Sequence, residues 1–216
     1  WYIGSVKGID FGRCCLMVVK YEGDRAAFRN MRRGVSAIYR KHRGVCLGPE
    51  PGRSFAEAKF DFPHLRDYVM DRNIMADVSE TATTWTNLLP LYEDSLADID
   101  RAICNTGVAS WVGCHVSHSY PTGASLYFTF GCLQRAGREI DQYLHIKKAA
   151  EDAFMKNGGT LSHHHAVGTE HLPWVEEDVS PTGLKAVRAV KEGLDPRGIM
   201  NPGKIIPPAD PFKAWG

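Results

Sequence analysis

The stretch Ala124-Ser125-Leu126-Tyr127-Phe128-Thr129-Phe130-Gly131-Cys132 decides the fold class, because apolar and polar side chains alternate along it. Successive side chains of a β-strand point to opposite faces of the sheet. One face of this strand is therefore apolar and consists of Ala124, Leu126, Phe128 and Phe130. The other face is polar and consists of Ser125, Tyr127 and Thr129. The stretch predicts a strand with one buried face.

Three further segments predict strands. Trp111–His118 precedes the strand Ala124–Cys132 and is joined to it across Tyr120-Pro121-Thr122-Gly123, whose composition is typical of a tight turn. These two strands predict an antiparallel hairpin. Met75–Thr83 has alternating and β-branched character, and Cys15–Tyr21 is a short apolar run.

Apolar residues at intervals of three and four predict helices between these strands. The first follows Asp24 as its N-cap, the second starts at Pro63 and buries Leu65, Tyr68 and Val69, and Gly48–Arg53 is a loop. The others are Trp85–Ile103, Ile140–Phe154 with a cap at Asn157-Gly158-Gly159, and one that begins at Pro181. The order predicts an α+β fold: an antiparallel or mixed sheet with helices on one face, plus a C-terminal helical segment. We expect a domain over residues 1–160 and a separate segment over residues 161–216.

Composition narrows the function classes. The 216 residues are 44% hydrophobic and 24% charged with a formal net charge of +1, so bulk charge implies no nucleic-acid partner. No apolar run approaches the roughly 20 residues of a membrane helix. The six cysteines show no C-x-x-C spacing, and Cys14, Cys114 and Cys132 lie in apolar runs, which favours a reducing compartment. Because the chain opens at Trp1 on a strand-like piece, we expect it to be part of a longer polypeptide.

Three consecutive histidines, His163, His164 and His165, lie between Gly158-Gly159 and Gly168. Imidazole titrates near neutral pH, so the triplet indicates proton transfer, anion binding or metal binding. In an extended loop His163 and His165 would face one way and His164 the other, with two in the site and one bracing the loop.

A metal site is an alternative for these histidines. His118, with two members of the triplet, could supply the ligands of a zinc ion. His115 and His118 are three residues apart on one strand and face opposite ways unless a bulge intervenes. No carboxylate is spaced in the sequence to assist, and we predict no metal.

Tyr127 and Arg66 are the other candidates for chemistry. Tyr127 lies among hydroxyl residues on the polar face, where its phenol could enter a polar cleft or be an ordinary half-buried tyrosine. Arg66 could clamp a phosphate or carboxylate with two hydrogen bonds, or could simply pair with Asp67. No Gly-x-Gly-x-x-Gly or Walker-type loop is present, so a nucleotide cofactor would have to be held elsewhere.

Four segments together resemble the C-terminal half of alkyldihydroxyacetonephosphate synthases, within the FAD-linked oxidases of the vanillyl-alcohol oxidase type. These are Leu65–Met70 (LRDYVM), Cys114–Phe130 (CHVSHSYPTGASLYFTF), Leu161–Gly168 (LSHHHAVG) and Asp195–Lys204 (DPRGIMNPGK). The histidine triplet with the SLYF strand is quite specific, whereas DPxGIMNPGK is shared by many FAD-linked oxidases. Ala166 follows the histidines where glycine is common in the family.

The resemblance implies a cap, or substrate, domain of ferredoxin-like type over an FAD that a separate N-terminal domain holds. The family exchanges the acyl group of acyl-dihydroxyacetone phosphate for a fatty alcohol through a covalent adduct at flavin N5. By motif, Tyr127 would donate and accept the proton and His163, His164 and His165 would assist it. Substrate would be bound by Arg66, which holds the phosphate, and by His118. Asn201 would contact the cofactor.

FAD-linked D-2-hydroxy-acid dehydrogenases are the alternative enzyme class. Their His-x-Gly-Asp-Gly-Asn-x-His turn and Glu-His-Gly loop, often around a metal, are replaced here by His118–Gly123 and the triplet. The resemblance also implies a small-molecule or lipid-precursor substrate, and leaves peripheral membrane association and a homodimer open. We expect the cytoplasm of a bacterium, or a peroxisome if the source is eukaryotic.

Overall fold

The computed structural model describes residues 17–215, except for the side chains of Phe62, Pro63, Ala214 and Trp215. Two compact units divide the chain, residues 1–65 and residues 66–216. Cys14 and the first two residues of the predicted strand Cys15–Tyr21 lie outside the described residues. For the rest of that strand the prediction is wrong, because residues 17–22 form no regular element and Met17 is 63% exposed.

Three helices follow, the last of which crosses into the second unit: α1 (Arg25–Lys41), α2 (Glu50–Ala58) and α3 (Phe62–Met70). Asp24 caps α1 as predicted, since its carboxylate accepts hydrogen bonds from the N–H groups of Ala26 and Ala27. The predicted loop over Gly48–Arg53 is correct for Gly48 and Pro49 and wrong for the other four residues, which are helical. Proline fits the first turn of a helix, and Pro51 is the second residue of α2.

The burial predicted for α3 is only partly correct. Leu65 and Tyr68 are 53% and 55% exposed. Val69 is partly buried. The apolar spacing there identified a helix correctly, but the helix is not covered along that whole face by the described residues.

The second unit contains the predicted sheet, of three antiparallel strands: β1 (Ile74–Thr84), β2 (Ser110–Ser119) and β3 (Gly123–Leu133). The strand order is β1-β3-β2, so the strand that alternates most clearly lies in the centre. Helix α4 (Leu88–Asn105) connects β1 to β2, and α5 (Glu139–Lys156) follows β3. This β-α-β-β-α order is five of the six elements of the ferredoxin-like pattern.

Helices α4 and α5 cover the apolar face of the sheet. Leu126, Phe128 and Phe130 of β3 are at most 2% exposed and pack with the apolar sides of both helices. The helix residues of this core include Leu91, Ile99, Ile103, Ile146 and Phe154. The opposite face of β3 is the polar one that carries Tyr127.

The chain leaves α5 through the predicted cap. Asn157 ends the helix and Gly158 takes a left-handed φ of 71°. Residues 158–171, the histidine loop, lead to a 3₁₀ turn at Leu172–Trp174, to α6 (Val175–Leu194) and finally to a 3₁₀ turn at Pro211–Trp215. Helix α6 is kinked at Ser180 (φ 68°), and Pro181 begins its second half as predicted.

A second, smaller core consists of Leu161, Trp174, Val175 and Leu184. All four residues lie within the predicted segment 161–216. The division of the chain after residue 160 stays a prediction. Within the described part of the chain, no helix combines the length and the apolar character that crossing a membrane requires.

Candidate functional site

A β-bulge brings both histidines of β2 to the polar face of the sheet. The register of β2 against β3 shifts between Val116 and His118, so Ser117 is an extra residue. His115 pairs with Tyr127, and their ring centroids are 4.9 Å apart. His118 lies 4.8 Å, ring to ring, from His163 of the loop. The sequence analysis required a bulge for His115 and His118 to face the same way, and the structure contains that bulge.

The start of the histidine loop is fixed to β1. Thr160 donates a backbone hydrogen bond to Ala82, and its carbonyl accepts one from the Thr81 hydroxyl. Asp178 of α6 accepts hydrogen bonds from the Thr160 hydroxyl and from the N–H of Leu161. These contacts hold the loop where it passes onto the polar face.

The end of the loop is fixed by His171, which is buried. Its Nδ1 lies 2.9 Å from the Ala166 carbonyl and its Nε2 lies 3.6 Å from Glu151 of α5. Burial alone would lower the pKa of His171, but Glu151 and Glu170 outweigh burial and raise it. Glu151 also accepts a hydrogen bond from the Ser79 hydroxyl of β1. The loop is thus anchored to β1, α5 and α6.

The three histidines converge on one buried carboxylate, Glu80 of β1, whose side chain is 0% exposed. Its Oε2 lies 2.6 Å from His164 Nδ1, 3.8 Å from His163 Nδ1 and 4.0 Å from His165 Nε2. The expected split of the triplet to two sides is wrong. The loop is bent rather than extended, with Ala166 at φ 64° and the Ser162 hydroxyl accepting a hydrogen bond from His165 N–H.

Ala166 therefore occupies a left-handed conformation, which for a residue with a Cβ costs about 1–2 kcal/mol. Glycine, common here in the family, would adopt it without that cost. The His171 contact to the Ala166 carbonyl stabilises the strained residue.

Glu80 also accepts a hydrogen bond from the bulge. The Ser117 hydroxyl lies 2.6 Å from Glu80 Oε1 and 2.6 Å from the Ser125 hydroxyl. His118 Nδ1 is 3.8 Å from Oε1. Glu80 Oε2, by contrast, accepts no well-aligned hydrogen bond from the described residues, although His164 Nδ1 is within contact distance.

The sequence did not reveal Glu80, and the expectation that no carboxylate could assist the histidines is wrong. Glu80 is 38 residues before His118 in the chain, and it reaches the site because β1 pairs with β3 in the register Glu80 to Tyr127. Glu80 lies between Ser79 and Thr81 in β1, so no local pattern distinguished it from an ordinary polar strand residue. Tyr120 was missed as well; its hydroxyl lies 2.9 Å from His163 Nε2.

Four of these groups are close enough to share one ion. Nitrogen atoms of His118, His163 and His164 and an oxygen of Glu80 all lie within 4.8 Å of one another. Imidazole and carboxylate donors suit zinc and other first-row divalent ions. The same donors also suit the binding of a proton.

Tyr127 lies beside this cluster and is half-buried. Its ring meets that of His165 edge-on at 5.7 Å. Burial raises the pKa of Tyr127, and the carboxylates of Glu80 and Asp77 raise it further, so the resting group is a neutral phenol. Burial is also the main cause that lowers the pKa of His165. Within the described residues the Tyr127 hydroxyl makes no hydrogen bond, so it can bind a ligand.

The structure does not join the other two candidates to this cluster by any contact among the described residues. Arg66 is exposed, and its Nη2 lies 3.8 Å from Asp77 Oδ1 rather than beside Asp67. Asn201 is exposed at φ 47° in a turn that Asp195 organises by accepting the N–H groups of Ile199 and Met200. Ile199 and Met200 are 61% and 65% exposed.

The described residues fit a flavin that is presented to them from outside. The open polar face carries a free phenol and several imidazoles, which suit the neighbourhood of a reactive ring. No glycine-rich loop that would bind a pyrophosphate occurs in the sequence. This domain can therefore contribute reacting groups, whereas most of the binding energy of a dinucleotide would come from elsewhere.

The chain is similar to known proteins over most of its length. The alkyldihydroxyacetonephosphate synthase of Dictyostelium discoideum is 35% identical over 206 residues, which are 95% of this chain and 34% of that protein. The mitochondrial D-lactate dehydrogenase [cytochrome] of Arabidopsis thaliana is 42% identical over 214 residues, 95% of this chain and 35% of that protein. A solved alkyldihydroxyacetonephosphate synthase structure superimposes with a TM-score of 0.61 at 30% identity, covering 84% of this chain and 30% of that one.

The chain spans about a third of the length of these relatives. A family model described as FAD linked oxidases, C-terminal domain, matches residues 2–205. The α+β fold, the two-sided sheet and this match agree with one another. The chain belongs to the C-terminal domain family of the FAD-linked oxidases, a family of enzymes.

Proposed function

We propose that this chain is the substrate-side domain of an FAD-dependent enzyme that exchanges the acyl group of acyl-dihydroxyacetone phosphate for a fatty alcohol. The observation that supports it most is the convergence of Tyr127 and the histidine triplet around Glu80 on one open face. Similarity to alkyldihydroxyacetonephosphate synthases over 95% of the chain supports the same reaction.

The exchange is a substitution without net oxidation. The bond from the substrate carbon to the departing carboxylate breaks, and a bond from the same carbon to the alcohol oxygen forms. The flavin, when bound, supplies the centre that holds the substrate carbon between these two events. This chain has to supply a proton donor and acceptor, positive charge for the carboxylate and phosphate, and a site for substrate.

Tyr127 fits the proton donor and acceptor. Its raised pKa keeps the proton on the phenol at rest, and its hydroxyl is free of hydrogen bonds to the described residues. A phenol that gives a proton during departure of the carboxylate can take one back when the alcohol enters. His165, at 5.7 Å ring to ring, and His115, at 4.9 Å, are the neighbours that can relay it.

The histidines fit the binding of negative charge. His118, His163 and His164 are within reach of one another and of Glu80, so several imidazoles can donate hydrogen bonds to one anionic group. We assign His118 to substrate binding and the triplet to assisting Tyr127. Arg66, 55% exposed and weakly paired with Asp77, has a guanidinium free to bind the phosphate with two hydrogen bonds.

The experiment uses the full-length, flavin-loaded protein. It is incubated with acyl-dihydroxyacetone phosphate and an isotope-labelled long-chain alcohol, without an electron acceptor. The label should enter the product and one carboxylate should be released for each alkyl group bound. Arg66→Lys should raise KM more than it lowers kcat, since an ammonium cannot replace the two-pronged guanidinium. Arg101→Lys, an exposed arginine on α4, is the matched control.

A D-2-hydroxy-acid dehydrogenase is the second candidate, favoured by the 42% identity to the Arabidopsis D-lactate dehydrogenase. That reaction removes two electrons from substrate, so D-lactate or D-2-hydroxyglutarate would bleach the flavin anaerobically. Bleaching with acceptor-coupled turnover, and no exchange of the acyl group, would establish the dehydrogenase and reject the synthase. A third candidate, a metal-binding module, would show a stoichiometric metal ion in protein made without an affinity tag.

The enzyme of this proposal acts on a lipid precursor, forms a homodimer and contacts a membrane peripherally. It is located in the cytoplasm of a bacterium, or in the peroxisome of a eukaryote. Sedimentation of the purified protein would test the homodimer. Flotation of the protein with liposomes would test the contact with a membrane. Localisation of a tagged full-length protein would test the compartment.

A further inference from the structure

Glu80 and His164 form the closest contact between the histidine loop and the sheet. The two atoms, His164 Nδ1 and Glu80 Oε2, are 2.6 Å apart, and the carboxylate is completely buried. Two lone pairs would repel at that distance, so His164 Nδ1 carries a proton, although its N–H is not well aligned with Oε2. That proton defines the tautomer of His164: Nδ1 is protonated, and Nε2 carries the lone pair in the neutral ring.

The tautomer of His163 follows from that of His164. His163 Nδ1 lies 3.3 Å from His164 Nδ1, which already carries a proton, so in the neutral ring His163 Nδ1 holds a lone pair. Its own proton is then on Nε2, which lies 2.9 Å from the Tyr120 hydroxyl oxygen. Tyr120 therefore accepts a hydrogen bond from His163. One buried carboxylate fixes two rings in sequence.

The side chain that carries this remaining nitrogen is the most exposed of the triplet. The side chain of His164 is 51% exposed, against 19% for His163 and 30% for His165. It lines an open depression together with Ser162, Ala166, Val167 and Asp178. Of the three, His164 thus combines the greatest accessibility with a nitrogen that the carboxylate keeps free of a proton.

From this geometry we infer that Glu80 is a positioning residue that holds His164 in the Nδ1-protonated tautomer, so that His164 Nε2 is the nitrogen of the triplet that accepts a proton when the triplet assists Tyr127. The inference rests on the proposed function for the identity of the reaction. The carboxylate also stabilises the imidazolium that forms when Nε2 takes the proton. Ser117, which donates to Oε1 at 2.6 Å, keeps the carboxylate turned toward the loop.

Glu80→Gln is the decisive substitution, because it removes the charge and nearly preserves the shape. Glu151→Gln is the matched control: Glu151 is equally buried, also has one oxygen without a hydrogen bond from the described residues, and contacts His171 rather than the triplet. The full-length, flavin-loaded protein is labelled with ¹⁵N-histidine, and the His164 signals are assigned from the spectrum of His164→Gln.

In the wild type we expect the nitrogen shifts of His164 to report a protonated Nδ1 and a free Nε2. Glu80→Gln should move His164 toward the Nε2-protonated tautomer, lower kcat by roughly 10–100-fold with little change in KM, and shift the pH profile of kcat. Glu151→Gln should leave the tautomer and that pH profile unchanged. An Nε2-protonated His164 in the wild type would overturn the inference, and this outcome does not depend on how any variant folds.

Two other outcomes would also overturn it. One is a Glu80→Gln protein with the tautomer and pH profile of the wild type. The other is a stoichiometric metal ion in the untagged wild type that Glu80→Gln loses, since the buried oxygen would then be a ligand. If Glu80→Gln gives no folded protein, Ser117→Ala, which keeps the charge, should give a mixture of tautomers. An unchanged tautomer in Ser117→Ala would count against the inference.

The tautomer measurement separates this inference from the proposed function. If acyl exchange is absent but the His164 tautomer depends on Glu80, the proposed reaction fails and the positioning role remains. If exchange occurs and the tautomer is indifferent to Glu80, only the positioning role fails.

Discussion

The Thr81 hydroxyl donates a 2.7 Å hydrogen bond to the carbonyl of Thr160, a residue 79 positions later in the chain. Beside it, the N–H of Thr160 donates to the Ala82 carbonyl at 2.9 Å. The start of the histidine loop is therefore bound to the edge of β1, one and two residues after Glu80. Because one strand carries both the anchor and the carboxylate, the distance between Glu80 and the triplet depends on this pair of hydrogen bonds.

Thr81→Val should destabilise the protein. Valine keeps the shape of this fully buried side chain and removes the hydroxyl donor, leaving the Thr160 carbonyl with one bond fewer. We expect the free energy of unfolding to fall by about 1–2 kcal/mol, measured by urea denaturation. Thr84→Val, at the exposed end of the same strand, should change it by less than about 0.5 kcal/mol. Equal effects of the two would contradict the anchoring role.

Gly159→Ala should weaken the same junction by crowding it. A Cβ on Gly159 would lie 2.4 Å from the Thr81 hydroxyl oxygen and 3.1 Å from the Phe154 carbonyl, so the backbone must move. We expect a loss of about 1–3 kcal/mol of unfolding free energy. Gly193→Ala, in α6 with open space around it, should be neutral or should stabilise by up to about 1 kcal/mol. Thermal unfolding of both variants tests the difference, and a stable Gly159→Ala would disprove the close packing.

Tyr127→Phe should separate chemistry from folding. The change deletes a hydroxyl that makes no hydrogen bond to the described residues, so the melting temperature and the flavin content should stay near those of the wild type. Loss of the proton donor should lower kcat by roughly 10²–10⁴-fold in the acyl-exchange assay. Tyr92→Phe, a tyrosine stacked on Phe128 in the core on the other face, should retain activity. Wild-type turnover in Tyr127→Phe would remove this residue from the mechanism.

The sequence was sufficient to predict the sheet and the elements that flank it. Alternation in Ala124–Cys132 and the turn before it specify β2 and β3, because burial of one face imposes a period of two. The sequence could not predict which distant residues the pairing of the strands would place side by side. Glu80 joins the triplet through pairing with Tyr127, and no local pattern around Glu80 encodes that pairing.

Two other differences have local physical causes. The bulge at Ser117 changes which way His115 faces, and a one-residue insertion in a pairing leaves no mark in the periodicity of either strand. The bend of the histidine loop depends on Ala166 adopting a left-handed φ. A glycine at this position would have indicated such a conformation in the sequence, whereas an alanine does not. Both features lie in the site, where local preference gives way to tertiary contacts.

The pH dependence of stability should report the His171 anchor. Burial lowers the pKa of His171, but hydrogen bonding and charge from Glu151 on α5, with Glu170 and the Ala166 carbonyl, raise it above its ordinary value. The folded state therefore binds this proton more tightly than the unfolded state does. The stabilisation is complete below the unfolded pKa of about 6.5 and is lost as the pH rises through the folded value.

We expect the difference in unfolding free energy between the wild type and His171→Gln to be largest near pH 6 and to shrink toward about pH 8.5. Glutamine cannot titrate but can still donate to the carbonyls that His171 contacts. Glu151→Gln removes the first of the groups that raise the pKa, so in that background the pH dependence contributed by His171 should largely disappear. Denaturant titrations at half-unit pH intervals measure both differences. A difference that is flat across this range, or that grows as the pH rises, would show that His171 holds the loop without its proton.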